Sequence, residues 1–499
     1  MGSQQLHTTL GPLDHIPPRN YVKFSLYLPL NPGVDTTKVF DQLHEGLHRL
    51  FFQFPWLGGK VYWQSPDTAG WRPGQLEIRY SPPDEAQSRP YQFKYNIIED
   101  APEYEELAEL GFPTNTFRDA ELLWAPFMPS VDDGAEVFVG QANFIPGGCV
   151  LCAAIFHSVS DGTATATFFK VWADSCKAAL SMTRDESANA LMLPPGSDDR
   201  SLLDNLWRKE GSGRLVKEID PSTWRILGLD TPSLISNAPA VETNGKGLEG
   251  NIVLPERKMN SRIFYISPEK FTLLKTECLR SAKVTGDSTS NISGNDALSA
   301  LIWQGLMRAR LKARGYSNGH KQDPLSCLEM TLDGRPDFSQ ALPSTYLGNV
   351  ILINQSFFPL AELTSPQTEI SEVARVIREN GSRIYPESVL DSYTLVKNIP
   401  DYNQLKLRFT TVEGNDMMIT SLLKFESDSL SFGDEFFDND GKPTAFRPLM
   451  EGFELFFRIS FILPMKSHGG IEFVVSLYDN EMDELLGDQE FGKYAMLLC

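Results

Sequence analysis

An apolar run of ten residues, GGCVLCAAIF, is the feature that most constrains the fold of this chain. It follows VFVGQANFIP, and the Pro-Gly-Gly sequence at Pro146 to Gly148 predicts a turn between two strands. The second strand is apolar on both faces, which is typical of a strand buried in the middle of a sheet. The sequence therefore predicts two strands over Val137 to Phe156, with the second at the centre of its sheet.

The segment HSVSDG, His157 to Gly162, follows this strand directly, and the next residues repeat apolar side chains at helical spacing. His157 therefore occupies a strand-to-helix turn, where a side chain is well oriented and can still meet a ligand. Neutral imidazole is the usual general base near pH 7. The alternative is a buried, hydrogen-bonded histidine, with Asp161 as a plain helix N-cap and Gly162 as a turn residue. Taken alone, the segment favours this alternative.

A long irregular segment divides the chain. From Ser181 to Asn260, turn-forming residues alternate with short apolar islands, as in a crossover between two halves. We therefore predict an N-terminal domain of residues 1–210, a crossover of residues 211–258 and a C-terminal domain of residues 259–499.

Helices and strands follow one another without strict alternation, and the last strands are joined by short loops. This order favours an α/β or α+β fold with mixed sheets over a barrel. The other predicted elements are an apolar stretch at Tyr21 to Leu30, strands at Ser261 to Ile266, Cys327 to Leu332, Asn349 to Phe357, Phe453 to Leu463 and Gly470 to Leu477, and helices at Val39 to Phe51 and Asn295 to Arg310.

The charge balance excludes some partners. The chain has 45 Lys and Arg against 65 Asp and Glu, a formal charge of −20, and no basic cluster of the nucleic-acid type. Nucleic acid and anionic membrane surfaces are therefore disfavoured as partners. The first residues lack a basic and apolar leader pattern, and no stretch approaches the roughly 18 apolar residues of a bilayer span. We expect a soluble, cytoplasmic protein.

Several other chemistries lack their motifs. The sequence has no GxSxG elbow, no GxxxxGK[ST] loop and no GxGxxG after a strand. HxxxD offers two metal ligands at most, without a second ligand-spaced cluster, so no metal is expected. Cys149 and Cys152 lie inside the apolar strand and are interpreted as core residues instead of a redox pair.

Eight segments that follow one another in a fixed order are more informative together than HxxxDG alone. The segments are GPLDH, FPWLGGKV, HSVSDG, NISGNDALSALIW, LDGRPD, YLGNV, ITS and SFGDE, followed by a terminal GIEFVVSLYDNEMDEL. With these segments in this order, the chain resembles the BAHD acyl-CoA-dependent acyltransferases, most closely the fungal branch that contains trichothecene acetyltransferases.

The resemblance implies two chloramphenicol-acetyltransferase-like domains, with a channel between them that acyl-CoA and the acceptor enter from opposite faces. It implies an O-acyltransferase that moves an acetyl group from acetyl-CoA to a hydroxyl of a hydrophobic secondary metabolite, as a monomer without a permanently bound cofactor. An amine acceptor, a longer or aromatic acyl group, and an inactive binding protein remain alternatives. Because CoA is a polyanion, we expect a positive patch at one channel mouth only.

The same resemblance implies roles for individual residues. His157 matches the general base, which acts in a direct ternary complex without a covalent enzyme intermediate. Asp161 and Gly162 are structural, Arg335 is the expected cation for Asp161, and Thr420 is the candidate oxyanion donor. The candidates for the substrate and CoA channel are Ser421, Ser431, Phe432 and Gly433.

Two positions depart from the family pattern. SFGDE replaces DFGWG, so that Ser431 stands for the leading Asp and Asp434 for the Trp. The usual ion pair of that loop cannot form, and the loop has to be held in another way. Leu422 replaces the Trp that follows TS in plant members, which removes one hydrogen-bond donor near the reacting centre.

Overall fold

The structure is a computed structural model that describes residues 5–82, 89–180, 192–229, 257–284, 292–315, 324–405 and 412–499. Residues 230–256 of the predicted crossover lie outside the described residues. Within the described ranges, no helix combines the length and the apolar character needed to cross a bilayer.

The described strands are β1 (Leu6–Thr9), β2 (Tyr21–Pro29), β3 (Lys60–Trp63), β4 (Leu76–Tyr80), β5 (Phe93–Ile97), β6 (Ala135–Glu136), β7 (Phe138–Ile145), β8 (Gly148–Phe156), β9 (Asn260–Ile266), β10 (Leu325–Asp333), β11 (Ile351–Pro359), β12 (Met417–Ser421), β13 (Ala445–Pro448), β14 (Ile459–Ile462), β15 (Ile471–Leu477) and β16 (Met496–Leu497).

The described α-helices are α1 (Thr36–Gln53), α2 (Tyr104–Glu109), α3 (Asp119–Leu122), α4 (Gly162–Leu180), α5 (Leu202–Glu210), α6 (Pro268–Val284), α7 (Gly294–Ala313), α8 (Arg335–Phe338), α9 (Leu360–Thr364), α10 (Ile370–Gly381), α11 (Pro386–Lys397), α12 (Glu451–Phe456), α13 (Asp479–Leu486) and α14 (Gln489–Gly492).

The described strands form three sheets. The five-stranded sheet has the order β13-β2-β8-β7-β5, the seven-stranded sheet β11-β10-β12-β14-β15-β9-β16, and the small sheet β1-β4-β3-β6. Strand β8 is central in its sheet and buried along its whole length, as its apolar sequence predicts. The seven-stranded sheet mixes parallel and antiparallel pairs, which confirms the predicted mixed sheets.

The five-stranded sheet contains a strand from the far end of the chain. Strand β13 pairs antiparallel with β2, with Phe446 opposite Leu26 and Pro448 opposite Phe24. The C-terminal half therefore contributes an edge strand to the sheet of the N-terminal half. The predicted domain boundaries at residues 210 and 259 do not account for this strand, which pairs with the sheet of the other half. These boundaries stay a prediction.

The two faces of the seven-stranded sheet have different neighbours. Leu328, Met417 and Ile419 pack into a core with helices α6, α7, α10 and α13. Met418 and Phe461 point to the opposite face and belong to the core cluster that contains β2, β8 and α4. Successive side chains of a strand alternate between faces, so Thr420 lies on the face of Met418. This face is directed towards the N-terminal half of the chain.

One predicted element is wrong in type. Phe453 to Leu463 was expected to be a single strand, but its first part lies in helix α12 and only Ile459–Ile462 is a strand. In an apolar run of this length, the periodicity of apolar residues does not distinguish a helix from a strand. Here the four-residue step brings the rings of Phe453 and Phe457 together at 6.1 Å, with Phe127 against both rings, which favours the helix.

Helices α1 and α4 cover one side of the five-stranded sheet at close range. A Cβ atom on Gly46 would lie 2.3 Å from Cys176 Sγ, so only glycine permits this approach. Trp172 Nε1 donates to the Leu43 carbonyl oxygen at 2.8 Å. This packing fixes the axis of α4 and, with it, the turn at its N-terminus.

Candidate active site

His157 is fixed at the end of strand β8. Its backbone N–H donates to the Asn20 carbonyl oxygen at 2.9 Å, and its side chain is half-buried. Ring atom Nδ1 lies 3.4 Å from the Ser160 carbonyl oxygen, an acceptor that assigns the proton to Nδ1. Nε2 is then the unprotonated nitrogen that can accept a proton.

The environment keeps this imidazole neutral. Burial lowers the pKa of His157 below its ordinary value of 6.5, and the Asp161 carboxylate and the Ser160 carbonyl oppose this shift only in part. A neutral ring at pH 7 is the protonation state that a general base requires.

Asp161 holds the turn that carries His157. Its Oδ1 accepts from the backbone N–H of Ala164 at 3.0 Å, which makes Asp161 the N-cap of α4. Oδ1 also accepts from Arg335 Nη2 at 2.9 Å, and Oδ2 accepts from the Val350 N–H at 2.9 Å. Both carboxylate oxygens are thus engaged by backbone N–H groups and by Arg335, and the structural role of Asp161 stays a prediction.

Arg335 joins this turn to the C-terminal half. It is 1% exposed, and besides Asp161 its guanidinium binds Asp333 Oδ1 at 2.8 Å and the carbonyl oxygens of Tyr346 and Gly348. Burial lowers the pKa of Arg335, but the Asp161 and Asp333 carboxylates outweigh burial and hold it above its ordinary value. The predicted pair is therefore present as a buried salt bridge.

The end of strand β12 lies against the start of α4. Leu422 Cδ2 is 3.9 Å from the position that a Cβ atom of Gly162 would occupy. Thr420 lies two residues before Leu422, half-buried, on the sheet face directed towards the N-terminal half. The structure thus brings the ITS and HSVSDG segments to the same junction between the two sheets. Ser421 is half-buried beside Thr420.

The SFGDE loop is held without an ion pair at its first residue. Ser431 Oγ donates to the Asp440 carbonyl oxygen at 2.6 Å, and the Phe432 N–H donates to the Gly441 carbonyl oxygen at 2.9 Å. Gly441 has φ +72°, and a Cβ atom there would lie 2.3 Å from the Gly433 oxygen. Hydrogen bonds and close backbone packing replace the charged brace of the family pattern.

The four channel candidates are not equivalent. Phe432 is fully buried, with its ring 6.0 Å from that of Trp172, and its carbonyl oxygen accepts from Gln42 Nε2 at 2.8 Å. Gly433 is also buried. Phe432 belongs to the core cluster of the N-terminal half, whereas Ser421 and Ser431 are half-buried, and the channel roles of all four residues stay predictions.

Sequence reasoning missed three residues behind the histidine turn. Asn349 and Asp14 are buried and Arg200 is half-buried, and these polar side chains bind one another and the backbone of the turn. The signal was present, because Asp14 belongs to GPLDH and Asn349 to YLGNV. Neither motif shows by itself that the two side chains meet.

The described residues contain no group of three or more His, Cys, Asp or Glu side chains that could hold a metal ion. Within the described residues none of the six cysteines forms a disulfide, and five of them are buried. Burial raises the pKa of the Cys149 and Cys152 thiols. Both side chains pack in the core of the five-stranded sheet, as expected from their sequence position.

The overall fold is known from solved structures. The structure of F. graminearum TRI101 complexed with coenzyme A and deoxynivalenol has a TM-score of 0.75 to this chain, with 21% identity, and covers 99% of this chain and 100% of that one. The fold is therefore the two-domain fold of the BAHD and chloramphenicol-acetyltransferase class, which confirms the predicted fold class.

Family models give a narrower assignment. The Transferase family model matches residues 124–491, and the trichothecene 3-O-acetyltransferase-like N-terminal domain model matches residues 21–176. The chain belongs to the Transferase family, and the predicted resemblance to its fungal branch is confirmed.

Curated relatives differ in length from this chain. The isocyanide synthase-NRPS hybrid crmA of Aspergillus fumigatus is 30% identical over 98% of the chain, which spans 31% of that protein. Enoyl-CoA isomerase/hydratase claC of Penicillium crustosum is 26% identical over 97% of the chain, which spans 50% of its length. O-acetyltransferase ptmV of Penicillium ochrochloron is 24% identical over 97% of this chain and 95% of its own length.

Proposed function

We propose that this chain is an acyl-CoA-dependent O-acyltransferase that moves an acetyl group from acetyl-CoA to a hydroxyl of a hydrophobic secondary metabolite. The proposal includes His157 as general base, a direct ternary complex and a monomer acting in the cytoplasm. It takes residues 1–210 and 259–499 as the two domains, with the crossover of residues 211–258 between them.

The orientation of His157 is the observation that carries the proposal. Its ring is half-buried at the junction of the two sheets, with Nδ1 directed to the Ser160 carbonyl oxygen and Nε2 left to accept a proton. The Transferase family match and the O-acetyltransferase ptmV support the acyl-transfer reaction. The coenzyme A in the F. graminearum TRI101 complex supports acyl-CoA as the donor.

The chemistry that follows from this orientation needs one proton acceptor. His157 Nε2 takes the proton of the acceptor hydroxyl as its oxygen forms a bond to the thioester carbonyl carbon. The tetrahedral oxyanion then expels the CoA thiolate, and the C–S bond breaks. The imidazolium returns the proton to the thiolate, so that ester and free thiol leave together. A base placed in this way typically contributes about 10²- to 10⁴-fold.

Thr420 is proposed as the donor to the developing oxyanion. The half-buried Thr420 lies at the carboxyl end of β12 on the sheet face of Met418, and Leu422, which follows β12 directly, lies near Gly162. A preorganised donor of this kind stabilises charge that exists only in the transition state. Ser421 and Ser431 remain the proposed contacts to the substrate and CoA channel.

Thiol release tests the proposal directly. Purified protein is incubated with acetyl-CoA and a panel of hydroxylated metabolites, and free CoA is measured with a thiol reagent while mass spectrometry identifies the ester. We expect release that depends on the acceptor and falls about 10²- to 10⁴-fold in His157→Ala.

The matched control is His44→Ala. His44 is also half-buried, also contacts a backbone carbonyl through its ring, and its pKa is also lowered by burial. This variant should retain the rate of the parent. Thiol release by His157→Ala at the parental rate would exclude the general-base role, and acetyl-CoA consumption without any ester would exclude O-acylation.

A further inference from the structure

A chain of polar groups binds the carbonyl oxygen of His157, whose N–H is bound by Asn20. Asn349 Nδ2 donates to the His157 carbonyl oxygen at 3.1 Å and to Asp14 Oδ1 at 3.0 Å. The backbone N–H of Asn349 donates to the same Asp14 oxygen at 3.0 Å. Both amide hydrogens of the side chain are therefore used, one on the histidine and one on the aspartate.

Asp14 is itself anchored on two sides. Its Oδ2 accepts from the Gly11 N–H at 2.8 Å, and Arg200 Nη1 lies 3.3 Å from the same oxygen. Arg200 Nη1 also donates to the Val159 carbonyl oxygen at 2.8 Å. The network therefore binds the backbone of the turn at two residues, His157 and Val159.

We propose that Asn349 and Asp14 are positioning residues that set the direction of the His157 ring. This inference rests on the proposed function, because it assigns the two residues to the proposed general base. Asn349 is 1% exposed and Asp14 is 3% exposed, so neither touches a substrate. They act through the main chain of His157, whose N–H is held by Asn20 and whose carbonyl oxygen is held by Asn349.

Loss of the Asn349 amide has two consequences for the ring. The His157 carbonyl oxygen loses a donor, which frees the peptide plane that fixes the direction of the Cα–Cβ bond. A displacement of about 1 Å in a reacting group can cost about 100-fold in rate. Water admitted to the loosened turn would also reduce the desolvation that lowers the pKa of His157.

The charges around the ring are paired in the parent protein. Asp161 faces the ring from the turn and is bound by Arg335 from α8. Asp14, from the 3-10 turn Pro12–His15, is paired with Arg200, which precedes α5. Substitution of Asn349 leaves all four of these groups in place, so a changed titration of His157 would report its position and hydration instead of a new charge.

The test compares Asn349→Ala with Asn354→Ala. Asn354 is a close match, since it is 4% exposed and its Nδ2 donates to the Ile377 carbonyl oxygen at 2.9 Å. Among the described residues, neither its Oδ1 nor that of Asn349 has a hydrogen-bond partner. We expect kcat to fall about 10- to 100-fold in Asn349→Ala with little change in KM for acetyl-CoA. Asn354→Ala should keep the parental kcat.

A second readout is independent of catalysis. The His157 ring signals are assigned by comparison with His157→Ala and followed by NMR during a pH titration. In Asn349→Ala the pKa of His157 should rise towards 6.5, whereas in Asn354→Ala it should stay at the parental value. If the parent transfers no acyl group at all, the proposed function fails, but this titration still decides whether Asn349 positions the ring.

Asp14→Asn extends the test if Asn349→Ala does not fold. This variant keeps the size of the side chain but replaces one accepting oxygen with an amide. Because Asp14→Asn also removes a negative charge that pairs with Arg200, this variant is assessed by kcat, which should fall as in Asn349→Ala. Equal losses in Asn349→Ala and Asn354→Ala, a loss confined to KM, an unchanged His157 titration in Asn349→Ala, or a parental kcat in Asp14→Asn would each overturn the assignment.

Discussion

Replacement of Arg335 with Met tests how much the buried Arg335–Asp161 ion pair, which supports the histidine turn, contributes to the free energy of unfolding. Arg335 is 1% exposed and Asp161 is 3% exposed, and Arg335 Nη2 lies 2.9 Å from Asp161 Oδ1. Met has a comparable volume but no donor. The change therefore leaves the Asp161 carboxylate in the interior with only the Ala164 and Val350 N–H groups.

Removal of one partner of a buried ion pair costs about 3–5 kcal/mol, because the remaining charge is uncompensated. The carbonyl oxygens of Tyr346 and Gly348 also lose their donor. Asp333, the other partner, is 27% exposed and can turn to water, so its contribution is smaller. We expect Arg335→Met to lower the free energy of unfolding by about 3–5 kcal/mol.

Urea unfolding followed by tryptophan fluorescence measures this loss. Arg375→Ala is the control, because it breaks an exposed Arg375–Glu379 pair of 2.7 Å and should cost less than about 1 kcal/mol. The double variant Asp161→Asn with Arg335→Met should recover part of the loss, since neither charge is then left alone. A cost for Arg335→Met similar to that of Arg375→Ala would refute the reasoning.

Three further predictions concern the site and its support. Thr420→Val should reduce kcat about 100-fold or more while Thr420→Ser retains most activity, measured by steady-state thiol release; equal rates for the two variants would remove the oxyanion role. Because burial holds the pKa of His157 below 6.5, kcat/KM should be constant near pH 7 and fall only at acid pH, where the ring becomes protonated. A pH–rate profile in which kcat/KM already falls above pH 6.5 would contradict this. Gly46→Ala should destabilise the protein by about 1–3 kcal/mol in urea unfolding, because its new Cβ meets Cys176. Gly492→Ala should cost less, because no atom of the described residues lies within 4 Å of its new Cβ.

Local sequence signals were sufficient to predict the strand, the turn and the helix around His157. The double-sided apolar pattern of β8 predicts a central strand, and the HSVSDG turn with its following helix is correct to within a residue. These features depend on neighbours in the chain. The secondary structure of Phe453 to Leu463 was harder to predict, because an apolar run alone does not distinguish a strand from a helix such as α12. The helix is favoured by contacts with Phe127, a residue far away in the sequence.

Long-range pairings could not be predicted in the same way. Strand β13 joins the five-stranded sheet although it lies more than 400 residues after β2, and four residues carry no signal for that partner. The burial of Phe432 follows from the same exchange, since the segment before β13 is carried onto α1 and α4. Periodicity describes which face of an element is apolar, but it does not identify the surface that will cover it.

Asp161 shows why the segments are informative together and weak alone. Its bond to the Ala164 N–H closes within three residues, so HSVSDG predicts the N-cap without help from the rest of the chain. Its bonds to Arg335 and to Val350 span 174 and 189 residues and are supplied by LDGRPD and YLGNV. A buried carboxylate with only its local bond would be costly, so the HSVSDG turn is stable only when the other two segments are docked. The three segments are therefore informative together because their residues contact one another in the folded chain. The position of His157 depends on these contacts between the two halves of the chain.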